Sequence, residues 1–345
     1  MDRLATQSKP LVFDCHFRPQ VWGGRRLASF VKGVSADDQP IGEAWVLSGH
    51  PLHVSQVLGG PSSGIKLTDL HEQFSQQSFG VEIPKPEKFP WLVKFLDCHD
   101  MLSVQVHPTD ELAARWAPGE NGKTEAWVIL DADPGASVYA GLKRGVTRSV
   151  LTKALDNGTV AECLHRIEPR PGDCLFLPAG TVHAVGGGVL MAEVQQSSDA
   201  TFRLFDWNRL CPDGRPRQLH RTEAMECIDW HQGPIRPQVP RRIQNLPAGI
   251  SAELLIDCPD FRLSRFRIER EWHPRPTGEL SAWIVLDGQV EISSESDPSI
   301  QIADRGSAIL IPSEPHDHRL RPAGLTSLLH LTMGTPMSIF ARRAA

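Results

Sequence analysis

PGDCLFLPAGTVHAV, residues 171–185, is the stretch on which the fold turns. Gly172 and Gly180 mark turns on either side of the apolar run CLFL, which reads as a buried strand. The second turn aims His183 from the start of the next strand. The same texture, short apolar runs broken by Pro and Gly, fills most of the chain and predicts a mainly β protein built as a sandwich or barrel. Helical signals are few and local. LTDLHEQFSQQ (67–77) is one candidate, and TDELAARWA (109–117), with acids in its first turn, is another. Thr147 opens a third over SVLTKALDN, stopped at Gly158, and the pair Thr159/Glu162 fits a capping box for a short helix through His165.

Working outward, the decisive stretch has an echo. EAWVILDADPG, from Glu125, precedes PGDCLFLPAGTVHAV; SAWIVLDGQ, from Ser281, precedes DRGSAILIPSEPHDH. Each pairs a strand ending in a turn with a later strand that runs into proline. Two diverged copies of one β-barrel unit explain this. HQGPIRPQVPRR (231–242) has no sustained periodicity and reads as a linker. The expected division is a first unit, residues 1–235, carrying the chemistry, and a second β unit, residues 236–345.

The chemistry gathers in the first unit. In Ser103-Val104-Gln105-Val106-His107, strand alternation puts Ser103, Gln105 and His107 on one face and the valines on the other. That describes a barrel strand with a wet inner face, although alone it also fits a solvent-facing edge strand. In Lys123-Thr124-Glu125-Ala126-Trp127, Lys123 and Glu125 share a face; alone they would pass for a surface ion pair. With His183, the set His107, Glu125 and His183 offers two imidazoles and a carboxylate, which suits one catalytic Zn2+ per chain with an open position. Mn2+ or Fe2+ accepts similar ligands. Gln105, two residues from His107 on the same face, can add an amide oxygen.

Downstream lie Glu193-Val194-Gln195-Gln196-Ser197-Ser198-Asp199 and Thr201-Phe202-Arg203-Leu204-Phe205-Asp206-Trp207. They follow Gly186–Gly188, where backbone could approach a ligand closely. An arginine among apolar residues is either paired or used. Asp199 or Asp206 is the alternative, purely structural partner for Arg203; used, Arg203 with Lys123 points to an anionic substrate.

Composition bounds the rest. The chain has 345 residues, 40% hydrophobic and 22% charged, with a net charge of -5. This fits a soluble globular protein and gives no reason to expect nucleic acid or a membrane surface. MDRLATQSKP lacks the apolar core of a signal peptide. The seven scattered cysteines form no C-x-x-C pair and suit a reducing compartment, so a cytoplasmic protein is expected.

WGGRRL, IGEAWVLSGHP, FPWLVKFLD, LSVQVHP, GKTEAW and PAGTVHAVGGGVLMAEVQQSSDATFRLFDWNR together resemble the short bacterial branch of the type I phosphomannose isomerases, which are metal-dependent cupins. The similarity runs from about Phe13 to Arg209 and more faintly beyond. It implies a bicupin, two jelly-roll barrels with a few short helices, that interconverts mannose 6-phosphate and fructose 6-phosphate through an enediol or enediolate. It implies metal ligands at Gln105, His107, Glu125 and His183, and a catalytic arginine at Arg203. Ser103 and Lys123 match positions lining the sugar-phosphate pocket, and Glu193 an acidic position there. Glu193 and Lys123 are the candidate proton carriers. Phe202 and Phe205 replace tyrosines common in the family, which would remove hydroxyls near the site but keep the apolar packing. His316 and His318 follow IPSEP with no Q-x-H upstream, so the second barrel is expected to be structural. The protein is expected to be a monomer or weak homodimer. Rival readings are a metal cupin of other chemistry, such as an oxygenase or another sugar-phosphate isomerase, and a non-catalytic sugar-binding cupin.

Overall fold

The computed structural model describes residues 10–33, 39–60, 62–77, 88–211, 213–275, 279–294, 300–311 and 318–334. The chain is mainly β, in four antiparallel sheets arranged as two cupin-type barrels. In the first barrel, a seven-stranded sheet runs in the order Cys174–Leu177, Glu125–Ala132, Val189–Gln196, Trp91–Cys98, His16–Gly24, Ile41–His50, His53–Val54. A five-stranded sheet faces it, ordered Phe202–Phe205, Val104–Val106, His183–Val185, Val138–Leu142, Leu164–Ile167. Trp127, Ile129, Leu175 and Met191 of the large sheet pack on Val138, Ala140 and Val185 of the small one.

The second barrel repeats this plan, and the echo seen in sequence is a true register match. Glu125 lies opposite Leu177 and Trp127 opposite Leu175; Ser281 lies opposite Ile311 and Trp283 opposite Ile309. On the other flank, Gln195 and Glu193 meet Glu125 and Trp127, while Thr332 and His330 meet Ser281 and Trp283. One strand further, Lys94 faces Glu193 and Ser264 faces His330. The small sheet of this barrel is Gln301–Asp304, Gln289–Ser294 and His318–Pro322.

The barrels meet back to back. Ala126, Val128, Val93 and Ala192 of one large sheet share a core with Ala282, Ile284, Leu310 and Leu329 of the other. Alternation explains this: Trp127 points into its barrel, so its neighbours Ala126 and Val128 point out. The short strand Leu11–Val12 pairs with Ala308–Ile311, so the start of the chain completes a sheet of the second barrel.

Helices cover the outer face of the five-stranded sheet, where Val104 and Val106 pack with Leu151, Leu155 and Met225. Asp110–Trp116 and Arg148–Asn157 form as the caps predict: Thr109 and Thr147 accept the Leu112 and Val150 N–H, and Gly158 closes the second at φ 72. Leu67–Gln77 is helical as read, and Arg221–Cys227 is a helix the sequence reading missed. The capping box at Thr159 does not form. Thr159 lies at φ -105, ψ 24, outside the extended backbone of an N-cap, with no side-chain cap bond. Only a four-residue 3-10 turn, Val160–Cys163, fits before the chain joins the sheet at Leu164, and His165 is in a strand. The linker is laid along the first barrel, with Ile235 N–H on Ala140 O and Gln238 N–H on Cys174 O, and ends in the strand Arg241–Arg242.

Candidate metal centre

Strand register brings the predicted residues into two facing rows. On the small sheet, Arg203 lies opposite Gln105, and Gln105 opposite His183. On the large sheet, Glu125 and Glu193 project inward beside Lys94. His107 follows Val104–Val106 and Lys123 precedes Glu125–Ala132, so both stand at the open end of the barrel.

His107, Glu125 and His183 converge. Their candidate ligand atoms lie within 4.8 Å of one another, the one such group of three among the described residues. His107 Nε2 is 3.4 Å from Glu125 Oε2, and His183 Nε2 is 3.3 Å from Glu125 Oε1. Both Nδ1 atoms face backbone carbonyls, at 2.8 Å from Ala200 O and 2.9 Å from Thr181 O. A carbonyl can only accept, so each Nδ1 carries the proton and each Nε2 is left unprotonated beside Glu125. Both Glu125 oxygens are buried, and among the described residues their close polar neighbours are the two imidazoles and the Lys123 ammonium. Two unprotonated imidazole nitrogens turned on one buried carboxylate fit a divalent cation. Gln105 lies 3.2 Å from His183 Nε2 through its amide nitrogen, with its oxygen on the Ser103 hydroxyl; it ligates only with the amide turned over.

The protonation states agree. Burial, then the Lys123 charge, pushes His107 down to about 4, and burial lowers His183, so both are neutral near pH 7. Burial opposes charge on Glu125, but Lys123, followed by the two histidines, holds it well below the carboxylate range. Lys123 Nζ is 3.1 Å from Glu125 Oε2 and 3.2 Å from His107 Nε2. This is no surface ion pair: Lys123 is 4% and Glu125 1% exposed. Burial works against the Lys123 charge, yet Glu125, Glu193 and Asp199 keep it above the usual lysine range.

A cavity of about 370 Å³ opens beside this group, lined by Ser103, Gln105, Lys123, Glu193 and Arg203. Arg203 pairs with neither aspartate. Its Nε donates to Ser103 Oγ at 3.2 Å and a terminal nitrogen to Gln218 O at 2.8 Å. Asp199 instead holds Arg18 at 3.3 Å, and Asp206 takes Arg217, with Nε at 2.8 Å. Arg203 therefore brings to the cavity a guanidinium that no carboxylate neutralises at contact distance among the described residues. Gln218, Arg18 and Arg217, and Glu43 and Lys94 with them, escaped the sequence reading. Lys94 sits in the otherwise apolar strand run WLVKF, and Glu43 in IGEAWVL. A charge inside such a run must find a partner. Here Lys94 Nζ lies 3.4 Å from Glu193 and 3.8 Å from Glu43.

Two expectations change. Gly186, Gly187 and Gly188 admit the protein's own loops rather than a ligand: a Cβ there would meet Ser137, His99 O and Asp133. Phe202 and Phe205 pack outward under the helices, so their missing hydroxyls do not face the site. His316 lies outside the described residues. A larger cleft, about 520 Å³, opens between the barrels, but three of its arginines are spent on Asp97, Gly172 O and Ser29 O.

The family model for the catalytic domain of type I phosphomannose isomerase matches residues 11–136. The chain is 33% identical over 319 residues to the mannose-6-phosphate isomerase ManA of Bacillus subtilis, covering 92% of this chain and 94% of that protein. It is 32% identical over 286 residues to the mannose-6-phosphate isomerase of Streptococcus mutans, covering 83% and 87%. The solved structure of mannose 6-phosphate isomerase from Bacillus subtilis superposes with a TM-score of 0.83 at 28% identity, covering 94% of this chain and 99% of that one.

Proposed function

The chain belongs to the type I phosphomannose isomerases, a metal-dependent family, and we propose that it interconverts mannose 6-phosphate and fructose 6-phosphate at one Zn2+ held by Gln105, His107, Glu125 and His183. The observation that carries the metal assignment is the pair of carbonyl-tethered imidazoles whose Nε2 atoms converge on one buried carboxylate.

The reaction takes a proton from C2 of the aldose and returns it to C1, while the hydroxyl proton passes from O2 to O1. Charge develops on the enediolate oxygens. A bound divalent cation supplies Lewis-acid polarisation of the sugar carbonyl. Arg203 adds a fixed guanidinium for the same charge. Its Ser103 and Gln218 O contacts hold it in place before substrate arrives, so little reorganisation is needed. Glu193 is the stronger candidate for the carbon proton. It lies outside the metal set, and Trp127 Nε1 (3.1 Å) and Lys94 fix its carboxylate. Lys123, held charged, suits an anchor for an anionic oxygen or an acid rather than a base.

We place the unit boundary near residue 235, with Leu11–Val12 crossing into the second barrel. A sugar-phosphate substrate and free cysteines support a cytoplasmic enzyme, and we propose that it acts as a monomer or weak homodimer. No described helix is long and apolar enough to cross a membrane.

A coupled assay following fructose 6-phosphate from mannose 6-phosphate, before and after chelation, tests the whole reading. Activity lost to chelator and restored by Zn2+ is expected. Full turnover in metal-free protein would remove the metal, and oxygen consumption without isomerisation would favour the oxygenase reading.

A further inference from the structure

Outside the ligand set, a chain of polar contacts runs from the end of Ile41–His50 to His107. Ala200 O, which accepts the His107 Nδ1 proton, belongs to the segment Ser198-Asp199-Ala200. Among the described residues that segment pairs with no strand, and it is held by the loop before Glu125. Glu120 Oε2 accepts the Asp199 N–H at 3.0 Å, and Asn121 O accepts the Ser198 hydroxyl at 2.8 Å. Ser198 Oγ in turn receives the Ala200 N–H at 3.2 Å. Glu120 is itself fixed by His50, the last residue of Ile41–His50 and only 5% exposed. His50 Nδ1 accepts the Leu52 N–H at 3.2 Å, so Nε2 carries the proton and donates it to Glu120 at 3.0 Å. First the His50 bond, then the Asp199 N–H, hold the Glu120 carboxyl down at about 2 against its partial burial, so it is an acceptor at any working pH.

We propose that Glu120, clamped by His50, is a positioning residue for the metal centre: it fixes Ser198–Ala200 so that the Ala200 carbonyl orients His107 and the Asp199 carboxylate holds Arg18 on the substrate cavity. Glu120 touches neither the metal ligands nor the cavity, so its effect passes through backbone. Groups that orient a ligating histidine typically account for about 10–100-fold in metal affinity. The inference rests on the metal reading above, and its test separates the two.

Zinc affinity of the full chain, measured by competition with a chromophoric chelator, and the visible spectrum of the Co2+-loaded protein are the readouts. In Glu120→Ala, zinc affinity falls about 10-fold or more and the Co2+ bands shift, because His107 loses its fixed orientation. Glu120→Gln keeps an oxygen for the Asp199 N–H and loses about threefold or less by the same reasoning. A purely structural role would lower the melting temperature of metal-free and metal-loaded protein alike and leave their difference unchanged. Where Glu120→Ala does not fold, His50→Ala carries the test, with a loss of affinity in the same direction. Unchanged affinity and unchanged Co2+ bands in the folded variant overturn the positioning role. A parent chain that binds neither ion overturns the metal reading instead.

Discussion

The two barrels set the same scaffold positions to opposite uses. Where the first has Glu125, Trp127, Glu193 and Lys94, the second has Ser281, Trp283, His330 and Ser264 at matching registers. Even the histidine persists: His183 opens its strand beside Trp127, and His318 opens its own beside Trp283. The Trp127 indole donates to Glu193, and the cavity stays polar. Among the described residues the Trp283 indole N–H meets no acceptor, and His330 stacks on its ring at 4.1 Å. Trp272 and Phe266 close the remaining space, with Trp272 bonded along the strand edge that Val104–Val106 takes in the first barrel. Exchanging one carboxylate for a hydroxyl at position 281 removes the anion around which two imidazoles could gather. Without it, aromatic packing is the lower-energy filling of the same interior.

Four substitutions break or sharpen this contrast. The largest effect belongs to Glu125→Ser, which installs the residue of the second barrel in the first. Metal analysis should find the bound ion gone, and turnover should fall by about 10³ or more, since Lewis-acid stabilisation is worth several kcal/mol. Arg203→Ala keeps fold and metal but lowers kcat by about 10²–10³, the usual cost of one preorganised donor; equal kcat in variant and parent removes Arg203 from the chemistry. Trp283→Ala acts on the other barrel. Denaturant unfolding should lose about 3–5 kcal/mol, as for large aromatic truncations, while zinc affinity stays at the parent value.

The smallest effect is a pH slope. Burial, then the nearby His318, pushes His330 down to about 3 from an ordinary 6.5. Between those values the unfolded chain binds a proton that the folded chain refuses, so stability falls as pH falls through that window. One such group contributes up to about 1.4 kcal/mol per pH unit. His330→Phe, measured beside the parent from pH 7 to 4, should flatten the curve by that amount; parallel curves would mean that His330 protonates in the folded state.

Much of this was legible in sequence because the signal was local. The β class came from turns and apolar runs. Gln105, His107 and Glu125 follow from period-2 alternation, which five residues display, and His183 from the glycine turns around CLFL. The reaction came from the resemblance around Arg203, and the pairing of the two halves from an echo that the register bears out. The failed capping box at Thr159 was local too, but sheet pairing at Leu164 overrode it.

What tertiary structure alone decided is which charges meet. Lys94 and Glu193 are 99 residues apart, His107 and the Ala200 carbonyl 93, and Arg18 and Asp199 181, and no spacing rule reaches across such separations. Asp199 and Asp206 were both open to Arg203 in sequence, and the fold gave them to Arg18 and Arg217. Alternation states which face a side chain takes, because that is fixed by its own backbone. Its partner on that face is set by strand order and register, which the whole chain settles at once.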